Sequence, residues 1–275
     1  MLRSVATLLG LYTVVLVAVW GLQERLIFVP EPLPADHVFD FGPDVREVAI
    51  DVPGARLSAL HLRLPSPTGV VFYLHGNAGN LESWFTNVAV YRRANVDLFM
   101  IDYRGYGKST GTIDNEAQLR ADVRAAWDSI APEYVGRRTI IVGRSLGTAL
   151  AAGLGAEVSP DMTVLVSPYR SMIAMGKLQF PWVPSMLLRY PLATEDDAAR
   201  ITGPVLVLHG EVDRLIPMEH SEAIVERTPG AQLIRVHGAG HDDIHEFPEY
   251  QAAFGKALGV EATDRSGLDA AATRP

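Results

Sequence analysis

A chain of 275 residues with hydrophobic residues at 48 % can bury one sizeable core, and a single α/β domain commonly uses this much chain. A formal net charge of −8 with no long basic block excludes nucleic acid as a partner. The absence of cysteine removes disulfides, a thiolate nucleophile, zinc–thiolate sites and lipoprotein attachment, and leaves the compartment open.

From Ser4 to Gln23 no residue is charged, and Val5 through Leu22 is almost wholly apolar. A bilayer core of about 30 Å needs around twenty such residues in a helix. Trp20 lies near the end of the stretch, where an interfacial anchor belongs. A cleaved signal peptide shares the basic start at Arg3 but ends in a small-x-small exit, and Val17-Ala18-Val19-Trp20-Gly21 makes a poor one. Residues 1–25 therefore read as a retained transmembrane anchor, with a cleaved signal and a buried helix as rivals. The amino terminus and Arg3 precede the span, whereas Glu24 and Arg25 cancel, so the positive-inside rule puts the rest of the chain on the non-cytoplasmic side. Residues 26–43, with Pro30, Pro32 and Pro34, read as an extended linker into a folded domain at 44–258.

Within that domain, 45–52 and 57–62 alternate polar and apolar residues, which predicts an antiparallel pair at the sheet edge with one wet face. The runs at 70–74, 97–101, 139–142, 163–167, 204–208 and 232–236 are near-continuously apolar, as central parallel strands are. Helical patterns fall between them, notably at 116–130, 146–157 and 219–226, which implies a parallel sheet with crossover helices.

The chemistry follows the strand ends. After 70–74 comes His75-Gly76-Asn77-Ala78-Gly79-Asn80, whose small residues let backbone N–H groups approach a substrate carbonyl. The Asn77 N–H is the candidate second oxyanion donor; the rival is a plain glycine-rich turn, and His75 reads as a loop brace. Asp102-Tyr103-Arg104-Gly105-Tyr106-Gly107 follows 97–101 and reads as a structural turn, Asp102 included. Next, Arg138-Thr139-Ile140-Ile141-Val142 runs into Gly143-Arg144-Ser145-Leu146-Gly147 and then a helical stretch. A buried strand ending in Gly-x-Ser-x-Gly forms a nucleophile elbow, with the serine on a strained turn above the sheet and the Leu146 N–H at a helix start. Side chains at Gly143 and Gly147 would collide with the neighbouring strand and helix.

A serine hydroxyl needs a base, and the base an orienting carboxylate. The loop after 204–208 offers Glu211 and Asp213, with Asp213 favoured because Ile216-Pro217 fits a carboxylate leading into a helix. The loop after 232–236 offers Gly238-Ala239-Gly240-His241, and His241 is the candidate base. His209 and His245 read as structural, and Asp242 and Asp243 as surface charges or caps. Pro168 to Ile201 form an insertion crowded with apolar residues, among them Met172, Phe180, Trp182 and Met186, which reads as a lid lining an apolar acyl pocket. Part of that apolar content serves only to pack the lid on the core, and a lid dipping into the bilayer interface beside the anchor requires its apolar face to be exposed. Residues 259–275 turn rich in Ala, Thr, Asp and Gly, which predicts a disordered tail.

Taken together, the segments 75–80, 102–109, 143–147, 210–213 and 240–242 resemble the α/β-hydrolase superfamily. More narrowly, they are similar to the Bem46-type or ABHD12/13/17-like branch of membrane-anchored serine hydrolases, from roughly Leu26 to Leu258. The resemblance implies an α/β-hydrolase fold with helices on both faces of the sheet, a small helical lid (168–201) after the sixth strand, and a Ser145–His241–Asp213 triad. Leu146 and Asn77 would supply the oxyanion hole. The expected activity is serine hydrolysis of carboxylic ester or thioester bonds in apolar, small-molecule or lipid-like substrates, with no cofactor and no metal. A serine aminopeptidase-like peptidase is the first alternative; only Glu195, Asp196 and Asp197 at the lid exit offer acid to capture an amine. A catalytically silent ligand-binding or scaffold protein is the second.

Overall fold

The computed structural model describes residues 2–260, so the expected tail lies, beyond Val260, outside the described residues. Eight strands form one sheet: β1 (Val45–Val52), β2 (Ala55–Leu62), β3 (Gly69–Leu74), β4 (Asp97–Ile101), β5 (Arg138–Arg144), β6 (Met162–Val166), β7 (Val205–Gly210) and β8 (Gln232–Val236). Their spatial order is β1-β2-β4-β3-β5-β6-β7-β8, parallel from β4 through β8, with β1 and β2 antiparallel at one edge. The helices are α1 (Leu2–Gly21), α2 (Gln23–Ile27), α3 (Leu81–Trp84), α4 (Val88–Ala94), α5 (Glu116–Ile130), α6 (Gly147–Val158), α7 (Met172–Gln179), α8 (Thr194–Ala198), α9 (Glu219–Arg227) and α10 (Pro248–Leu258).

The continuous apolar strands feed two cores, because successive side chains point to opposite faces. Val70, Phe72 and Leu74 join one cluster with the inner faces of α5 and α6; Val71 and Tyr73 join the other with Tyr91 of α4 and Phe254 of α10. This is the layered architecture the motifs imply, with the sheet buried on both sides.

Two local expectations are revised. Strand β2 is not half-wet: from Leu57 to Leu62 every residue is buried, because β2 lies between β1 and β4. Its polar members turn inward: the Ser58 backbone N–H donates to Ser109 Oγ at 2.8 Å, and His61 Nε2 lies 2.8 Å from the Tyr134 hydroxyl. The segment 26–43 is stitched to the domain rather than free. α2 runs across its start, Phe28 is buried in the core, Val29–Pro30 pair with Ala78–Gly79, and Pro32 bridges to Gly107.

Candidate active site

The parallel strands place their C-terminal ends along one edge, and every candidate residue lies there. β3 and β5 are in register with Leu74 beside Gly143, β5 and β6 with Arg144 beside Val166, and β7 and β8 with Gly210 beside Val236. Open α/β sheets bind ligands at this edge.

Ser145 follows β5 with φ of +50°, a left-handed conformation that non-glycine residues hold only under constraint. The constraint is visible on both sides. A Cβ on Gly143 would strike the Gly147 carbonyl and the Ala151 side chain, and one on Gly147 would strike the carbonyls of Leu74 and His75. Ser145 N–H donates to Val166 O at 2.9 Å, and Thr148 Oγ1 donates to Ser145 O at 2.6 Å, which fixes the turn from strand to helix.

Three side chains from separate loops converge. The Ser145 hydroxyl lies 3.1 Å from His241 Nε2, and His241 Nδ1 lies 2.7 Å from Asp213 Oδ2. With the carboxylate accepting at Nδ1–H, Nε2 keeps its lone pair toward the serine, so the array can take a proton from Oγ and return it. Asp213 Oδ1 accepts from the N–H groups of Leu215 at 2.9 Å and Ile216 at 2.8 Å. Burial works against the charge on Asp213, but hydrogen bonds from His209, His241 and the Ile216 N–H outweigh it and hold the carboxyl well below the usual range. Glu211, the rival acid, instead pairs with the exposed His237 at 2.7 Å.

Asn77 and Leu146 both border the cavity that opens on Ser145. Among the described residues neither backbone N–H meets a protein acceptor. The Asn77 carbonyl accepts from the Val29 N–H at 2.8 Å and the Tyr106 hydroxyl at 2.6 Å, and the preceding Gly76 carbonyl lies 2.7 Å from His75 Nδ1. His75 is fully buried beside Asp102, with Nε2 and Oδ1 3.4 Å apart, so both act as braces of this loop. Asn80 caps α3, accepting from Glu82 N–H at 2.8 Å.

Sequence reasoning missed other supports. Arg144, the variable residue before the nucleophile, donates from Nη2 to the carbonyls of His241 at 3.0 Å and Asp242 at 2.9 Å, and stacks 5.4 Å over the Trp84 ring. His209 is indeed buried and structural, but its partners are specific: Nε2 lies 2.8 Å from Ile216 O and 3.4 Å from Asp213 Oδ2, and Nδ1 lies 2.5 Å from Ser221 Oγ. Asp243 is a loop brace, accepting from Gly240 N–H at 2.7 Å just before His241. The motif pattern gave no signal for these, apart from the position of Arg144 inside the elbow.

The cavity measures about 320 Å³ and is lined largely by apolar side chains from the lid, α1, α2 and the Leu215–Ile216 turn. Lys177 is the one charged residue among its lining, and no carboxylate borders it among the described residues. The acidic triplet at the lid exit is engaged elsewhere: Glu195 with Arg170, Asp196 with Arg227, and Asp197 with Arg120 and Arg200.

Comparison with known proteins agrees with this architecture. A family model described as serine aminopeptidase, S33 (Hydrolase_4) matches residues 65–192. An uncharacterized Mycobacterium tuberculosis protein is 31 % identical over 240 residues, covering 83 % of this chain and 84 % of the relative. Alpha/beta hydrolase domain-containing protein 17B of Xenopus laevis is 32 % identical over 204 residues, covering 72 % and 69 %. Among solved structures, an esterase of Pyrococcus furiosus superposes with a TM-score of 0.68 at 21 % identity, covering 84 % of this chain and 97 % of the esterase. The chain belongs to the α/β-hydrolase superfamily, as a member of its ABHD17-like type.

Proposed function

We propose that this protein is a serine hydrolase that cleaves carboxylic ester or thioester bonds of apolar acyl substrates through an acyl-enzyme. One observation carries the reading: the continuous Ser145–His241–Asp213 relay, at 3.1 Å and 2.7 Å, stands at the floor of an apolar cavity. Ser145 Oγ attacks the acyl carbonyl while His241 Nε2 takes its proton, and Asp213 holds the imidazole tautomer and its developing charge. The tetrahedral oxyanion is held by the N–H groups of Leu146 and Asn77, a contribution of about 3–4 kcal/mol per donor in comparable sites. The trans peptide that points the Gly76 carbonyl at His75 turns the Asn77 N–H the opposite way, which supports its part as donor. His241 then protonates the leaving group, and water repeats the sequence on the acyl-enzyme.

The apolar lining favours an acyl chain over a peptide. An aminopeptidase must seat an ammonium group, and the cavity presents Lys177 and no carboxylate among the described residues. Helix α1, with a mean hydropathy of 1.9 over Arg3–Gly21 and none of it buried, supports a single-pass anchor, and we assign the catalytic domain to the non-cytoplasmic face.

Labelling by a fluorophosphonate probe tests the reading. Wild type labels, Ser145→Ala does not, and His241→Ala labels far more slowly; a folded wild type that never labels refutes it. A panel of p-nitrophenyl esters of increasing chain length, set against aminoacyl anilides, decides between acyl and peptide substrates.

A further inference from the structure

The cavity at Ser145 is not closed by the catalytic domain alone. Val19 at the end of α1, and Leu26 and Ile27 of α2, form one wall; lid residues such as Met175, Phe180 and Leu187 form the other. Val19 belongs to the apolar span Arg3–Gly21, so the cavity reaches from the serine into the segment that a bilayer would surround.

The two walls are bonded together. Gln23, only 4 % exposed, donates from Nε2 to Leu187 O at 2.7 Å and accepts at Oε1 from Arg189 N–H at 2.9 Å. Arg189 pairs with Glu24 and lies 5.0 Å over the Trp20 ring. Higher on α1, the Tyr12 hydroxyl donates to Trp182 O at 2.8 Å. Tyr12 precedes the helix end at Gly21 by about 13 Å of axial rise, so the lid climbs the side of the helix rather than resting at its foot.

What the lid turns outward matches what α1 turns outward. Residues 178–188 include no charged side chain, and Lys177 and Arg189 bracket them. Leu178, Phe180, Trp182 and Met186 are exposed, Met186 at 88 %. A helix apolar on all sides and a lid apolar on its outer side make one continuous surface that water does not stabilise.

We propose that this surface faces the lipid bilayer, and that the acyl chain of an ester or thioester held in the leaflet enters the Ser145 cavity sideways, between α1 and the lid. The exposed lid residues sit in the outer part of the acyl region, the reacting carbonyl reaches the cavity floor near the interface marked by Trp20, and the chain never crosses water. This rests on the hydrolase reading given above, and it adds the bilayer as the source of substrate.

The test uses the full chain reconstituted in phosphatidylcholine vesicles and has two arms. In the first, tryptophan emission is quenched by phosphatidylcholine brominated in the upper acyl chain, and the difference between wild type and Trp182→Phe isolates Trp182. Trp182 is expected to be quenched by the brominated lipid and shielded from acrylamide; the opposite pattern overturns the proposal whether or not the protein is an active hydrolase. In the second, the double variant Leu178→Glu, Met186→Glu changes two lid residues outside the cavity lining. Its turnover of water-soluble p-nitrophenyl acetate should match wild type, while hydrolysis of a long-chain ester embedded in the vesicles should fall roughly tenfold. Equal rates on the embedded ester, or parallel loss on both substrates, overturn the proposal. A wild type silent on both esters but with Trp182 in the lipid refutes the hydrolase reading and leaves the membrane surface standing.

Discussion

Replacing Asp213 by asparagine probes the relay at its most constrained point. Asp213 Oδ1 accepts from two backbone N–H groups, and Oδ2 accepts from His241. The amide oxygen of the replacement must face the backbone pair, which turns its NH2 toward His241 Nδ1. The imidazole then carries its proton on Nε2, and Nε2–H faces the Ser145 hydroxyl with no lone pair to receive its proton. A comparable change in a well-studied serine-protease triad lowers kcat about 10⁴-fold, or roughly 5.5 kcal/mol of transition-state stabilisation. Stability responds to pH in a defined direction. The folded carboxyl titrates below its unfolded value of about 3.9, so its stabilisation is full above about pH 5 and is lost as pH falls through the unfolded value toward the folded one. The Tm difference between wild type and Asp213→Asn should therefore shrink in acid. The assay is kcat/KM on p-nitrophenyl butyrate, the rate of fluorophosphonate labelling, and Tm against pH. Glu211→Gln, which alters only the exposed pair with His237, serves as the control and should be neutral. Retention of more than about a tenth of wild-type kcat by Asp213→Asn, or a larger loss in Glu211→Gln, would show that Asp213 does not orient the base.

Other variants separate strain, positioning and burial. Ser145→Gly and Ser145→Ala should both abolish labelling, but the glycine variant should be the more stable by about 1 kcal/mol in urea unfolding, since only alanine keeps a Cβ at φ of +50°. Arg144→Met should lower kcat about 10- to 100-fold with KM nearly unchanged in steady-state ester hydrolysis, because it releases the His241 backbone while leaving the cavity lining intact. Burial, with Arg63 nearby, pushes His61 down to about 4. Its folded pKa is below the unfolded value of 6.5, so stability is full above that value and declines as pH falls toward 4, by about 3 kcal/mol at the limit. Urea titrations of His61→Gln should lack that part of the acid dependence.

The elbow was legible because its constraint is local. Two glycines, a serine and the adjoining apolar run all sit within one decapeptide, and the collisions they avoid are with the next turn of the same helix and the neighbouring strand end. Asp213 and His241 were legible for a similar reason: each follows an apolar strand on a loop whose small or turn-forming residues are visible in sequence. The supports were not. The Arg144 clamp reaches 98 residues along the chain to the Asp242 carbonyl, and Tyr106 crosses 29 residues to Asn77. Hydrogen bonds between remote segments leave no period in the hydrophobic pattern. The burial of strand β2 was not legible because Ser58 and His61 look like solvent-facing positions, although both are buried, His61 is paired with Tyr134, and the strand has a neighbour on both sides.

The pocket was the least legible part, and the reason bears on how the first 27 residues act. Its lining comes from residues 19–27, 77, 145–146, 169–188 and 215–216, five segments with no common motif. Composition alone reads residues 1–25 as a separate tether, because a tether and a pocket wall are both simply apolar. The polar exceptions carry the distinction. A buried amide such as that of Gln23 costs free energy unless its donor and acceptor are both met, and here the lid backbone meets them at Leu187 and Arg189. A tether indifferent to the fold would not retain a buried glutamine, nor set Glu24 against both Arg189 and the Tyr190 hydroxyl. Removing the helix to obtain a water-soluble fragment would therefore unpair the lid and open the cavity along one side, so an altered chain-length preference in such a fragment would reflect a missing wall rather than damage to the relay.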